Sequence, residues 1–308
     1  MLRVRRPGKK VLTGFVTGCD DCGVVFSNPL PSVDDLHAFY SPSGEWRATR
    51  QKQPSTRDGA PASRGRSWSK PFNAIRGQLR VWAPPPGSKV LDFGCGEGKL
   101  LDAFQEHGWE TWGIEPAVDT AFARHGRLQA VPDGPTFDMV VANHVLEHVT
   151  DPLALLRRFA AASREGGYLF ISVPRFDTLP IHRDYSYVIN GRAHVMAYTS
   201  TCLQGLLARA GWTPVGSTED RVPKGRGKTT CSRMRVIARR AEHPTALPQS
   251  PLRPAREALR LYYRHSAGRP ILARLGLHRC AARVMETQRR RLLKVWKSSK
   301  KDSMGIPI

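Results

Sequence analysis

The chain has 308 residues, 40% of them hydrophobic, with a formal net charge of +22. That length and apolar content exclude a wholly disordered chain and suit one well-buried core with appendages. No apolar run reaches the length of a membrane-spanning helix, and no long apolar run follows the basic N-terminus, so the expected compartment is the cytoplasm.

The charge is uneven. Residues 1–88 carry 14 Lys and Arg against 6 acids (+8), residues 89–220 carry 11 against 16 (−5), and residues 221–308 carry 23 against 4 (+19). The six cysteines are Cys19, Cys22, Cys95, Cys202, Cys231 and Cys280. Only the first two are close in sequence, which fits a reducing compartment rather than a disulfide scaffold.

Four zones follow in chain order: residues 1–40, a linker or lid at 41–70, a central domain at 71–240 and a tail at 241–308. In the first, Cys19-Asp-Asp-Cys22-Gly23 has the spacing that offers two thiolates to zinc, and equally that of a redox pair. Ser32 followed by Asp35 predicts a helix cap, with Leu36, Phe39 and Tyr40 as the apolar face. Residues 41–70 are rich in Ser, Pro, Gly and Arg, and residues 71–82 predict a short helix stopped by Pro84-Pro85-Pro86-Gly87.

From residue 88 strand and helix patterns alternate. Lys89–Phe93 is a strand, Lys99–His107 a helix, Thr111–Glu115 a strand, Val118–His125 a helix, Phe137–Asn143 a strand and Pro152–Ser163 a helix. Gly166-Gly167 reads as a turn, Tyr168–Val173 as a strand and Thr201–Ala210 as a helix, with strands at Trp212–Thr218 and Ser232–Ala238. This alternation predicts an α/β fold, Rossmann-like, with a mostly parallel sheet flanked by helices. The tail opens on a proline-rich hinge and holds basic helical patterns near 255–266 and 279–298.

The loop Asp92-Phe-Gly94-Cys95-Gly96-Glu-Gly98 joins a strand to a helix. Its glycines allow a sharp turn and close approach of a ligand to the backbone. Glu115, at the end of the next strand, is placed to accept from ribose hydroxyls. A nicotinamide site would want G-x-G-x-x-G, which is absent, whereas an acid before the first glycine suits the methionyl amino group of S-adenosylmethionine (SAM).

With Asn143-His144-Val145-Leu146-Glu147-His148-Val149, Asp151-Pro152, the Gly166–Pro174 segment and His194, the stretch 88–215 resembles a class I SAM-dependent methyltransferase of the kind found in bacterial glycan and natural-product pathways. The resemblance implies seven strands, the last antiparallel. It implies SAM contacts for Asp92, Gly94, Cys95, Gly96, Glu115, Pro116, Asn143 and His144. One departure stands out: the stretch from Arg124 to Phe137 is short for the family's third strand, and only Asp133 is available there as an adenine-binding acid.

For an oxygen acceptor the protein must remove a proton. His148 is the first candidate base and His194 the second, while His182, Asp184, Tyr185 and Tyr187 fall in the loop expected to cover the acceptor. The plainer alternative is that Glu147 or His148 caps a helix or packs under the cofactor. Residues 19–32 also resemble an N-terminal zinc module that precedes some of these enzymes. That module uses two knuckles, and the 18 residues before Cys19 hold no Cys or His. Either the first half has been lost or it lies upstream, and Cys19 and Cys22 are the two candidate zinc ligands.

The expected function is methyl transfer to a small-molecule or sugar hydroxyl, on a free, lipid-linked or carrier-bound acceptor. RNA methylation and a non-catalytic SAM-binding module are the alternatives. The basic tail suits a solvated face, the anionic inner face of a membrane, or nucleic acid; no recognisable nucleic-acid-binding module supports the last.

Overall fold

The computed structural model describes residues 2–3, 13–19, 22–46, 48, 69–78, 85, 87–117, 120–176, 189, 193–223 and 229–241. Both basic helical patterns of the tail, and His182, Asp184, Tyr185 and Tyr187, lie outside the described residues.

Near the N-terminus, β1 (Leu2–Arg3), β2 (Thr13–Gly18) and β3 (Val25–Asn28) are followed by helix α1 (Val33–Tyr40). The predicted cap is present: the Ser32 side chain accepts from the Asp35 N–H, and the Asp35 carboxylate accepts from the Ser32 N–H. Helix α2 (Ser69–Gln78) precedes the central sheet. The elements that follow are β4 (Lys89–Phe93), α3 (Lys99–Gln105), β5 (Glu110–Ile114), β6 (Gly126–Arg127), β7 (Phe137–Asn143), α4 (Pro152–Ala162), β8 (Ser163–Pro174), β9 (Met196–Ala197), α5 (Ser200–Arg209), β10 (Trp212–Pro223) and β11 (Thr229–Arg240).

Seven of these strands form one sheet in the order β10-β11-β8-β7-β4-β5-β6. β11 runs antiparallel to β8 and β10, and the remaining pairs are parallel. After β6 the chain returns to the other side of β4, so the topological switch lies between β4 and β7. In open α/β sheets that is where ligands bind, beyond the carboxyl ends of the strands.

Alternation along the buried strands divides the core in two. Leu91, Val140, Leu169 and Val236 pack with Phe159, Leu206 and Trp212 from the α4 and α5 side. Val90, Met139, Val141, Phe170 and Ile237 pack with Phe72, Leu101 and Phe104 from the α2 and α3 side. Each such fully buried apolar side chain contributes roughly 1.5–3 kcal/mol relative to exposure.

Four sequence expectations are corrected. The third strand exists but is only two residues long, Gly126 and Arg127 pairing with Gly113 and Trp112. The expected helix at 118–125 is a single 3-10 turn, Thr120–Ala123, because the connection from β5 to β6 leaves no room for a longer crossover. Gly166-Gly167 is not a turn between elements but lies inside β8. Gly166 takes φ +70, and the pairing with β7 skips there from Phe137–Ser163 to Met139–Tyr168. The final hairpin is also longer than expected, 12 residues in each strand.

The N-terminal residues do not stand apart from the central fold. β3 pairs antiparallel with β9, joining Val25 to Ala197 and Phe26 to Met196, and the Ser27 N–H donates to the Val195 carbonyl. The four strands β1-β2-β3-β9 form a second sheet that seats α1 beside the carboxyl end of β7.

Candidate active site

The glycine loop is shaped by its backbone. Gly94, Gly96 and Gly98 take φ of +77, +56 and +78. A Cβ on Gly94 would meet Val145 at 2.9 Å and one on Gly98 would meet Ala121 at 2.8 Å, whereas one on Gly96 would meet nothing within 4 Å. Gly96 therefore leaves a space into which a ligand can approach the backbone. The Cys95 side chain turns inward: it is buried, and a Cβ on Gly113 would come within 2.6 Å of its Sγ. Only the Cys95 backbone belongs to the loop surface.

Asp92 lies one residue before the end of β4 and is 3% exposed. Its Oδ1 has no hydrogen-bond partner among the described residues. Burial, with Glu115 nearby, raises its pKa to about 8. Glu115 braces the loop: Oε2 accepts from the Gly96 N–H at 3.0 Å and Oε1 from the Ala117 N–H at 2.8 Å. Each oxygen keeps a further lone pair for a hydroxyl. Pro116 is exposed beside it. Asp133 is exposed in the turn before β7 and makes no hydrogen bond or ion pair among the described residues. A buried acid that is neutral until a cation arrives, an open glycine cradle and a carboxylate at the second strand form a donor and acceptor set that fits the amino group and ribose of SAM.

Beyond β7 the chain makes a tight polar cluster. Asn143 ends the strand in register with Ser172 of β8. His144 takes φ +59, an uncommon value for a non-glycine residue, while its N–H donates to the Ser172 carbonyl at 2.8 Å. That turn points the His144 ring at Glu147, with Nδ1 2.9 Å from Oε1. Glu147 is wholly buried in the 3-10 turn Leu146–His148. Burial raises its pKa, but the His144 hydrogen bond and the charges of His148, His144 and His194 override it and hold the carboxyl down at about 2.

His148 Nδ1 lies 2.8 Å from the Ala193 carbonyl and 2.6 Å from the Tyr40 hydroxyl. A carbonyl oxygen can only accept, so Nδ1 carries a proton, and in the neutral ring Nε2 holds the lone pair. Nε2 is 3.9 Å from the Glu147 carboxylate. The His194 ring centre is 4.8 Å from that of His148, so the structure brings together both candidate bases. Trp46, in the segment read as linker, packs its ring 6.0 Å from His148 and 5.6 Å from Tyr40.

Tyr40 is the residue that sequence reading missed, having placed it on the apolar face of α1. Burial, with Glu147 and Glu115 nearby, pushes its hydroxyl pKa up, so it stays protonated beside the imidazole. The only local signal is an aromatic with a polar tip at the end of a capped helix, 108 residues from its partner.

Two groups could interest a metal. Ligand atoms of Glu147, His148 and His194 lie within 4.8 Å of one another, whereas ligands around a tetrahedral zinc stand about 3.4 Å apart, so a small ion would require these side chains to close up. At the knuckle, the Cys22 thiol shares a hydrogen bond with Cys19, and this with burial pushes its pKa up. Among the described residues no third ligand joins the two cysteines in a metal-sized cluster. They supply at most half of a structural zinc site.

The class this fold and site define is the seven-stranded SAM-binding methyltransferase fold, and comparison with known proteins agrees. The sequence profile of a family described as methyltransferase domain matches residues 67–216. The ubiquinone biosynthesis O-methyltransferase of Xanthomonas campestris pv. campestris is 35% identical over 103 residues, 28% of this chain and 43% of that protein. Its namesake from Coxiella burnetii is 32% identical over 128 residues, 35% of this chain and 51% of that protein. The chain thus spans about half the length of the curated relatives it matches. A Burkholderia thailandensis 1,6-didemethyltoxoflavin-N1-methyltransferase, solved with 1,6-didemethyltoxoflavin and S-adenosylhomocysteine, superposes with a TM-score of 0.50 at 22% identity, covering 75% of this chain and 96% of that one. That likeness is one of fold. Residues 67–216 thus carry the sequence profile of a methyltransferase domain within the class I SAM-dependent methyltransferase fold.

Proposed function

We propose that the chain transfers a methyl group from SAM to a hydroxyl of a small-molecule or sugar acceptor, lipid-linked acceptors included. The observation that carries this reading is the Tyr40–His148–Glu147 array beside the switch point, with an imidazole whose Nε2 lone pair is turned away from its two Nδ1 partners. Bound SAM supplies an electrophilic methyl group on a sulfonium. Asp92 would hold its ammonium, the Gly94–Gly96 backbone its methionyl part and Glu115 its ribose.

His148 takes the proton from the acceptor hydroxyl on Nε2. Tyr40 and the Ala193 carbonyl keep Nδ1 protonated, and the Glu147 carboxylate stabilises the imidazolium that forms. His194 stands second, at the adjoining ring. The relatives' name, O-methyltransferase, supports oxygen as the accepting atom. Among the described residues no helix is long and apolar enough to cross a membrane. We place the acceptor at the carboxyl edge of β7 and β8, and any membrane contact in the basic tail.

The test pairs calorimetric SAM binding with release of S-adenosylhomocysteine across a panel of phenolic and sugar alcohols. His148→Ala should keep SAM affinity and lose turnover. Absence of SAM binding by the wild type, or unchanged turnover in the variant, would overturn the reading.

A further inference from the structure

We infer that Arg233 anchors an anionic group of the methyl acceptor, so that the acceptor carries a carboxylate or a phosphate near the hydroxyl that is methylated. This inference rests on the methyltransferase reading above.

β11 places the residue. Arg233 stands opposite Pro174 and Arg235 opposite Ser172, at the carboxyl end of β8. Alternation along β11 puts both arginines on the face of Ile237, which packs with Val141, Phe170 and Phe72. Asp92 shares that face through Val90 and its pairing with Val141. The two guanidinium groups therefore lie on the ligand side of the sheet, at the edge where β7 and β8 end.

The Arg233 guanidinium is incompletely used. Its one polar contact among the described residues is Nη1 to His144 Nε2, at 3.4 Å. That contact is long, and His144 already holds Glu147 through Nδ1. Nε of Arg233 is enclosed and has no hydrogen-bond partner among the described residues. Asp220 of β10 stands opposite it in the ladder, and no carboxylate among the described side chains pairs with Arg233. Glu147 is held by His144 Nδ1, and burial favours the neutral form of Asp92. Arg235, only 4% exposed, adds a second cation in the adjoining register position. A planar fork with an unpartnered Nε beside a second guanidinium on the same face is the arrangement that takes a carboxylate or phosphate in two parallel hydrogen bonds.

The cofactor's own carboxylate is the competing occupant. The cofactor groups assigned above lie on β4, β5 and their loops, apart from Asn143 and His144 at the end of β7, and β11 stands three strands from β4, about 14 Å at ordinary strand spacing. Arg233 reaches back only as far as His144, the expected cofactor contact farthest along the chain from the glycine loop.

The full chain tests this without knowing the acceptor. Inorganic phosphate and benzoate are titrated separately into the S-adenosylhomocysteine-loaded and the cofactor-free protein. Binding is followed by calorimetry and by the arginine Nε–H resonance that Arg233→Lys removes. One of the two anions should move that resonance saturably. Arg233→Gln should weaken this anion about tenfold or more while changing SAM affinity less than about twofold. Phosphate as the responding anion assigns a phosphorylated acceptor, and benzoate a carboxylated one. Unchanged anion binding in Arg233→Gln, or no saturable shift with either anion, overturns the inference. Loss of SAM binding in that variant also overturns it, by giving Arg233 to the cofactor. A wild type that binds neither SAM nor S-adenosylhomocysteine defeats the methyltransferase reading instead, and the cofactor-free titration still reports on Arg233.

Discussion

The Tyr40 hydroxyl lies 2.6 Å from Nδ1 of His148, bridging the N-terminal helix and the turn after β7. A residue of the N-terminal segment is thus part of the candidate active site. Its position depends on the pairing of β3 with β9, which brings α1 and the Ala193–Val195 stretch to the same histidine.

Tyr40→Phe keeps the ring packing against Trp46 and removes one hydrogen bond to the imidazole. Turnover should fall about 10- to 100-fold, the equivalent of one hydrogen bond to a charged group. SAM affinity should be unchanged by calorimetry. A larger loss of SAM binding than of turnover would place Tyr40 with the cofactor.

His148→Ala should lower turnover by about 10²–10⁴, the usual contribution of a general base. His194→Ala should cost less, because the Ala193 carbonyl and Tyr40 orient His148. Single-turnover rates of the two variants settle their order.

Asp92 gives a pH signature. Its folded pKa, about 8, stands above the ordinary 3.8, so the free protein holds a proton that the unfolded chain releases. Stability from this group is greatest below about 4 and is lost as pH rises toward about 8. Asp92→Asn should therefore raise the melting temperature of the free protein at pH 8 and leave it nearly unchanged at pH 4. SAM affinity should rise through about pH 8 in the wild type as the carboxylate ionises, and should be weaker and flatter in the variant.

Glu147 has the opposite sign. Its folded pKa, about 2, lies below the ordinary 4.5, so its contribution is complete above about 4.5 and is lost as pH falls toward 2. Glu147→Gln should be less stable by about 3–5 kcal/mol near neutrality, since it leaves three imidazoles without their buried anion. The gap to the wild type should narrow in denaturation curves taken at pH 4 and then pH 3.

Gly98 and Gly87 share φ +78, but a Cβ on Gly98 would strike Ala121 and His125, and one on Gly87 would meet nothing within 4 Å. Gly87→Ala should cost about 1–2 kcal/mol from the left-handed backbone alone. Gly98→Ala should cost more and weaken SAM binding, read by melting temperature and calorimetry.

The sequence by itself determined the central strands and the glycine loop with its two acids. Lys89–Phe93 and Phe137–Asn143 are apolar runs bounded by turn residues, and the glycines, Asp92 and Glu115 stand within 24 residues of one another, so local pattern was enough to find them. It also named His148 and His194, but as separate candidates. Only the tertiary structure decided that they adjoin, that Tyr40 joins them and that Arg233 faces His144. Those pairs lie 46, 108 and 89 residues apart. Long-range contacts of this kind are set by strand pairing and sheet order, which no local periodicity encodes. The short β6 and the strand running through Gly166 escaped the sequence for a related reason: two residues carry no period, and a positive-φ glycine reads alike as a turn or as a bulge until its partner strand is known.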